Sequence, residues 1–200
     1  MSALSELYEE IRHCQRCDLY KTRTRAVPGE GPEDAEVMFI GEAPGFHEDQ
    51  QGRPFVGPAG QFLTQLMNSI GLKRDQVYIT NVIKSRPPGN RDPLPDEMNA
   101  CRKWLNRQIE LIRPRLIVTL GRYSMALFFP GKSIGRIHGT AQERDGITYF
   151  AMYHPAAALH QQSLKQTIEE DMLNIPRVLA KMREASAGQG KPPPQQMSLF

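Results

Sequence analysis

Cysteine is scarce in this chain, with three among 200 residues, at positions 14, 17 and 101. A small, odd number excludes the disulfide framework that staples many secreted domains. No apolar run reaches the 18 or so residues of a membrane-spanning helix. The opening MSALSELYEEIRHCQRC has no apolar signal-peptide core, so a cytoplasmic protein is expected. Strong charge of either sign is missing too. The formal net charge is +3, which permits an anionic partner without demanding one. No internal repeat is found. Two nucleotide fingerprints are also absent. G-K-S at 131–133 would close a phosphate-binding G-x-x-x-x-G-K-[ST] loop, but its first glycine falls on Ala126, and the preceding strand lies too far upstream. The loop after the first strand is not G-x-G-x-x-G either.

What is present suits one globular domain. Apolar residues make up 40% and charged residues 24%, and 200 residues can bury a sizeable core. Residues 3–12 place Leu4, Leu7, Tyr8 and Ile11 on one helical face. EVMFIG (36–41), VYITNVI (77–83), RLIVTLG (115–121) and ITYFAMYHP (147–155) read as strands. Helices are expected at 58–72, 95–114, 122–129 and 164–185, the last bent at Pro176. The strands lack strict alternation and alternate with helices. That pattern predicts an α/β fold, a mostly parallel sheet covered on both faces. Ligands of such sheets bind beyond the carboxyl ends of the strands. The loops there, at 41–60, 81–92, 121–123 with 130–139, and 154–160, are the candidate site. Beyond residue 185, ASAGQGKPPPQ cannot bury a core and reads as a disordered linker. The domain is therefore expected over 1–185, with a tail at 186–200.

The loop GEAPGFHEDQQGRPFVGPAG (41–60) holds five glycines, three prolines and three acidic residues. Gly41 and Gly45 let the backbone approach a ligand closely. Glu42, Glu48 and Asp49 accept hydrogen bonds or orient water. Phe55 offers a flat apolar face, Asn81 an amide that reads both a donor and an acceptor, and His154 a donor to a developing anion. An aromatic face, an amide and a histidine suit a planar heterocycle with a polar edge, which is how a flipped base is held. Basic residues cluster at 21–25, 84–91 and 131–136. Their convergence on one surface would serve a phosphate backbone.

C-x-x-C at 14–17, GEAPG…ED…GRPFVGPAG at 41–60, YITNVIKSRPPGNR at 78–91, ACRKWL at 100–105, LIVTLG at 116–121 and HP at 154–155 together resemble the family 4 uracil-DNA glycosylases, the iron–sulfur type. The likeness covers residues 7–180. It implies a three-layer α/β/α sandwich that flips deoxyuridine out of DNA and hydrolyses its N-glycosidic bond in base excision repair. It further implies that Phe55 stacks on uracil, that Asn81 binds the polar edge of the base, and that His154 stabilises the departing uracil anion. Gly41, Ala43 and Gly45 line the same pocket. Glu42 or Glu48 positions or polarises the attacking water. In the related family 1 enzymes an aspartate stands where this chain has Ala43, so water activation comes from elsewhere or is weak. His138 reads as a surface or phosphate-contacting residue. Leu159 is a candidate wedge for the vacated base stack. No lysine is placed as a Schiff-base nucleophile, so a monofunctional enzyme is expected. The alternatives are a non-catalytic iron–sulfur module that binds damaged DNA and an enzyme acting on free deoxyuridine compounds.

The same resemblance implies a [4Fe–4S] cluster held by four thiolates. Cys14, Cys17 and Cys101 match three of them, but the fourth position is Ser85. A hydroxyl gives up its proton far less readily than a thiol. Three outcomes stay open: weak ligation by Ser85, an external fourth ligand, or a three-iron form. The chain ends in QMSLF, similar to the short peptide by which bacterial proteins dock on the DNA sliding clamp, with Gln196, Leu199 and Phe200 as its anchors. A monomer located with the nucleoid is expected.

Overall fold

The computed structural model describes residues 2–187. Strands β1 (Val37–Gly41), β2 (Tyr78–Asn81), β3 (Leu116–Leu120), β4 (Ala141–Arg144) and β5 (Ile147–Met152) form one sheet in the order β2-β1-β3-β5-β4. β1 pairs in parallel with β2 and β3, and β3 with β5, while β4 runs antiparallel to β5. Successive residues of a strand point to opposite faces, and here both faces are buried. Met38, Ile40, Tyr78, Ile117 and Tyr149 pack against α1 (Ala3–Arg12), α4 (Pro95–Ile112) and α5 (Arg122–Phe128). Their neighbours Val37, Phe39, Ile79, Val118 and Phe150 pack against α3 (Pro58–Ser69) and α8 (Gln162–Ala187). The three-layer α/β/α sandwich is the expected one, and continuous apolar runs are the signature of strands covered twice.

The differences from expectation are local. β4 escapes the sequence pattern because AQER is polar and its first three residues are exposed; an edge strand outside the helical layers has no apolar face to betray it. The glycine-rich loop contains a short helix, α2 (Phe46–Gln51). Two more short helices follow later, α6 (Ile134–Ile137) and α7 (Ala156–His160). α8 contains Pro176 and runs to Ala187, two residues past the expected domain end. The tail motif at 196–200 lies outside the described residues.

Chain order explains where a ligand would sit. β1 is flanked by β2 on one side and β3 on the other, so the crossovers leave in opposite directions and open a crevice beyond the carboxyl ends of β1 and β3. Gly41 and Glu42 stand at the end of β1, Asn81 at the end of β2, Gly121 after β3 and His154 after β5.

Candidate active site

Gly41 is where the parts converge. A Cβ placed there would stand 2.4 Å from Asn81 Oδ1 and 2.5 Å from Phe55 Cζ. Any side chain at 41 would therefore fill the space between the amide and the ring. Asn81 is 1% exposed, and its Oδ1 has no hydrogen-bond partner. A buried acceptor left unpaired costs about 1–3 kcal/mol, which is the mark of a group built for a ligand rather than for the fold.

Phe55 faces His154, with ring centroids 5.6 Å apart and planes 28° from parallel. Its backbone lies in the left-handed region, at φ 50°, uncommon for a bulky residue. The surroundings hold it there. Arg74 donates to the carbonyls of Phe55, at 3.0 Å, and of Pro54. Glu48 accepts from the N–H groups of Val56 and Gly57, each at 2.8 Å, and of Gly45 at 3.1 Å. Gly60 leaves room, since a Cβ there would stand 2.0 Å from the Phe55 carbonyl. Strain that is over-determined in this way gathers at functional sites.

His154 is tucked against Gly121, where a Cβ would come within 3.0 Å of the histidine Cβ. Burial lowers its imidazole to about 4, so the ring is neutral at pH 7. The Ala156 N–H donates to His154 Nδ1 at 3.1 Å. That bond makes Nδ1 the acceptor, so the proton of the neutral ring sits on Nε2. The chain thus presents one N–H donor from a neutral imidazole.

Two glutamates of the loop meet different surroundings. Both Glu48 oxygens are taken by backbone amides, including those that open α2 and α3. Glu42 makes no such bonds. Burial, reinforced by the nearby Asp92 carboxylate and opposed by Arg122, raises it to about 7. Asp49, the third acid, is buried and accepts from the N–H groups of Thr24 and Arg25, tying the basic stretch 21–25 to the loop. Arg23 donates to Ser85 Oγ at 2.9 Å, so the first two basic stretches meet. Two residues beyond the third, His138 is held by Asp171 of α8 at 2.9 Å and lies against Tyr153, the neighbour of His154. Ala43 is partly buried against the core.

The cysteines lie on the α1–α4 side. Cys101 and Ser85 are 4% and 3% exposed, and Cys14 and Cys17 pack against the same core. The Trp104 indole N–H donates to Cys14 Sγ at 3.3 Å, and the backbone at Leu19 and Lys84 favours the thiolate forms of Cys17 and Cys101. Burial raises the Cys17 thiol and pushes Cys101 up to about 11. Among the described residues, no three His, Cys, Asp or Glu side chains are gathered tightly enough to hold a metal ion.

Residues 28–174 match the model of the uracil DNA glycosylase superfamily. The chain belongs to this superfamily. It is 50% identical to a type-4 uracil-DNA glycosylase of Sulfurisphaera tokodaii, over 88% of this chain and 84% of the relative. Identity is 45% with a type-4 uracil-DNA glycosylase of Archaeoglobus fulgidus, over 90% and 96%. With a type-5 uracil-DNA glycosylase of Pyrobaculum aerophilum it falls to 32%, over 73% and 72%.

Within this superfamily member, Gly41, Asn81 and Phe55 are brought together, and His154 faces Phe55. Glu42 stands beside the pair Asp92–Arg122. Sequence reasoning did not single out Asp92, Arg122, Gly121, Arg74 or Lys84. Gly121 ends a strand run and was the most legible of these. The others act through contacts between loops distant in sequence, which no local pattern signals.

Proposed function

We propose that this chain is a monofunctional uracil-DNA glycosylase of the type-4 kind. It takes a deoxyuridine flipped from DNA and hydrolyses the N-glycosidic bond, leaving an abasic site. The observation that carries this reading is the buried, unpartnered Asn81 Oδ1 beside Phe55 and Gly41. Uracil carries N3–H, which would donate to that oxygen. Cytosine carries a lone pair there and would be repelled, so one amide separates the damaged base from the normal one. Phe55 supplies the apolar surface under the base, and Gly41 keeps the space open.

Cleavage develops negative charge on the base and positive charge on the sugar. His154 Nε2–H would donate to the uracil oxygen as it becomes anionic. A hydrogen bond to a charged group is worth about 1.5–3 kcal/mol, or about one to two decades of rate. Glu42, poised near neutrality, suits orienting or polarising the attacking water, and its charge favours the cationic sugar. Glu48 we assign to positioning the loop, because its oxygens are already engaged. Leu159, half exposed on α7, would fill the stack the base leaves, with Phe46 and Leu94 also exposed at this end.

Cys14, Cys17 and Cys101, with Ser85 at the fourth corner, would hold an iron–sulfur cluster. Three cysteines at one core, one of them held by an indole N–H, fit a thiolate cluster, whose sulfurs such bonds stabilise. The cluster when bound supplies a cross-link between the segment after α1 and helix α4, and none of the residues around the base pocket calls for redox chemistry. The terminal QMSLF is assigned to a sliding clamp, and the enzyme to a monomer working on uracil-containing DNA. No described helix is long and apolar enough to cross a membrane.

The test uses end-labelled oligonucleotides carrying one uracil, followed by alkali. Alkali-dependent breakage by the unmodified protein, reduced at least tenfold in both Asn81→Ala and His154→Ala, is the expected result. Folded protein that leaves no alkali-labile site would overturn the reading in favour of a damage-binding module. Turnover of free deoxyuridine compounds without DNA would overturn it in favour of a nucleoside-processing enzyme.

A further inference from the structure

Lys84 is 2% exposed, and the chemistry above gives it no task. A lysine is almost never this buried unless it is paired. Its Nζ donates to Thr80 Oγ1, the Asn81 carbonyl and Gln108 Oε1, each at 2.7 Å. Thr80 Oγ1 passes its own proton to the Pro28 carbonyl at 2.8 Å, so it receives from Lys84. Three acceptors thus surround Nζ, as many as an ammonium has N–H groups. Gln108 is itself held, through Nε2, by the Pro28 carbonyl and the Tyr78 hydroxyl at 2.7 and 2.8 Å.

The peptide unit between Asn81 and Val82 is therefore fixed at both ends. Lys84 holds its carbonyl, and its N–H donates to the Gly41 carbonyl at 3.0 Å. A peptide plane tied at both ends sets ψ of Asn81, and with it the direction in which the side chain leaves the backbone. This matters because Asn81 Oδ1 has no partner of its own to aim it.

We propose that Lys84 is a positioning residue for base recognition, aiming the Asn81 amide into the pocket by clamping its carbonyl against Thr80 and Gln108. The inference rests on the glycosylase reading and names a part of its specificity. Replacing the ammonium would leave the pocket walls intact but free the Asn81 peptide to tilt. Uracil affinity would fall, while affinity for DNA without the base would not.

The experiment is a double-mutant cycle, read with free uracil as inhibitor of cleavage. Lys84→Met keeps the unbranched length and removes every donor. It is expected to weaken uracil inhibition about tenfold and to change affinity for abasic-site DNA less than twofold. On an Asn81→Ala background the same change should alter uracil inhibition less than twofold, because the amide it aims is gone. Equal weakening on both backgrounds, or equal loss of affinity for uracil and for abasic DNA, overturns the proposal. If Lys84→Met does not fold, Thr80→Val removes one of the three acceptors, with an expected loss of about threefold, and additivity there overturns the proposal equally. Unmodified protein that releases no uracil from DNA would instead bring down the reading on which the proposal stands.

Discussion

Glu42 and His154 divide the electrostatic work of the site by burial acting in opposite senses. Burial disfavours charge, so it raises the carboxyl to about 7 and lowers the imidazole to about 4. Of the two, Glu42 is the one that titrates near neutrality. The rate of uracil release is expected to rise with pH through about 7, as the carboxylate forms, and Glu42→Gln should remove that limb while lowering the rate at pH 8 at least tenfold. A pH–rate profile of both proteins checks this. Stability should run the other way. A carboxyl raised from 4.5 favours the folded state most below its unfolded pKa, and that contribution is lost as pH rises through about 7. Glu42 keeps some contact with solvent, so the full shift is discounted to about 1 kcal/mol. Glu42→Gln should therefore melt about 2–4 °C higher at pH 8. A variant both less active and less stable would show that Glu42 is structural.

The short helix α2 and the N-terminus of α3 are joined through one side chain. Glu48 accepts from the amide of Gly45, which precedes α2, and from those of Val56, eight residues further along the chain than Glu48, and Gly57, which opens α3. Unpaired N–H groups at helix starts need such an acceptor. Between these anchors lies Phe55, with its positive φ. Glu48→Ala should cost about 2–4 kcal/mol, since hydrogen bonds to a charged group are worth about 1.5–3 kcal/mol each and do not add fully. Thermal unfolding and cleavage are expected to fall together. A variant with unchanged melting but lost activity would move Glu48 from positioning to catalysis.

For the molecule as a whole, the open question is what ties α1 to α4. Trp104 of α4 reaches Cys14, and Cys101 sits in the core shared by both helices. Ser85→Cys would complete a four-thiolate set. It is expected to raise iron per chain after anaerobic purification and to slow its loss to a chelator. Unmodified protein that carries no iron under those conditions would remove the cluster assignment. The proposed clamp peptide would act on a different length scale. Residues 188–195 span at most about 29 Å, at about 3.3–3.6 Å each. That is enough to let a clamp-bound enzyme search nearby DNA at raised local concentration. Truncation after Ala187 should abolish co-elution with a bacterial sliding clamp and leave cleavage of short oligonucleotides within twofold. Unchanged co-elution would show that the motif is not the dock.

The strands and the two-sided core were legible in the sequence because runs such as RLIVTLG are apolar throughout, and only a doubly covered strand needs that. Phe55, Asn81 and His154, which the structure brings together, were legible because each lies at or beyond the carboxyl end of a strand, where a parallel sheet exposes its ligand groups. β4 was not, because an edge strand with polar faces leaves no hydrophobic period. The tertiary structure gave Glu42 and Glu48 different surroundings. Six residues apart in one loop, the two are chemically alike. Only folding brings the amides of Val56 and Gly57 onto one, and burial beside Asp92 onto the other. Likewise, the sequence alone determined that a lysine stands at 84, but its burial, and the Gln108 acceptor that completes the set begun by Thr80 and Asn81, depend on where helix α4 packs. Local pattern sets which residues can be inside, whereas charge and hydrogen bonding act through space and belong to the assembled fold.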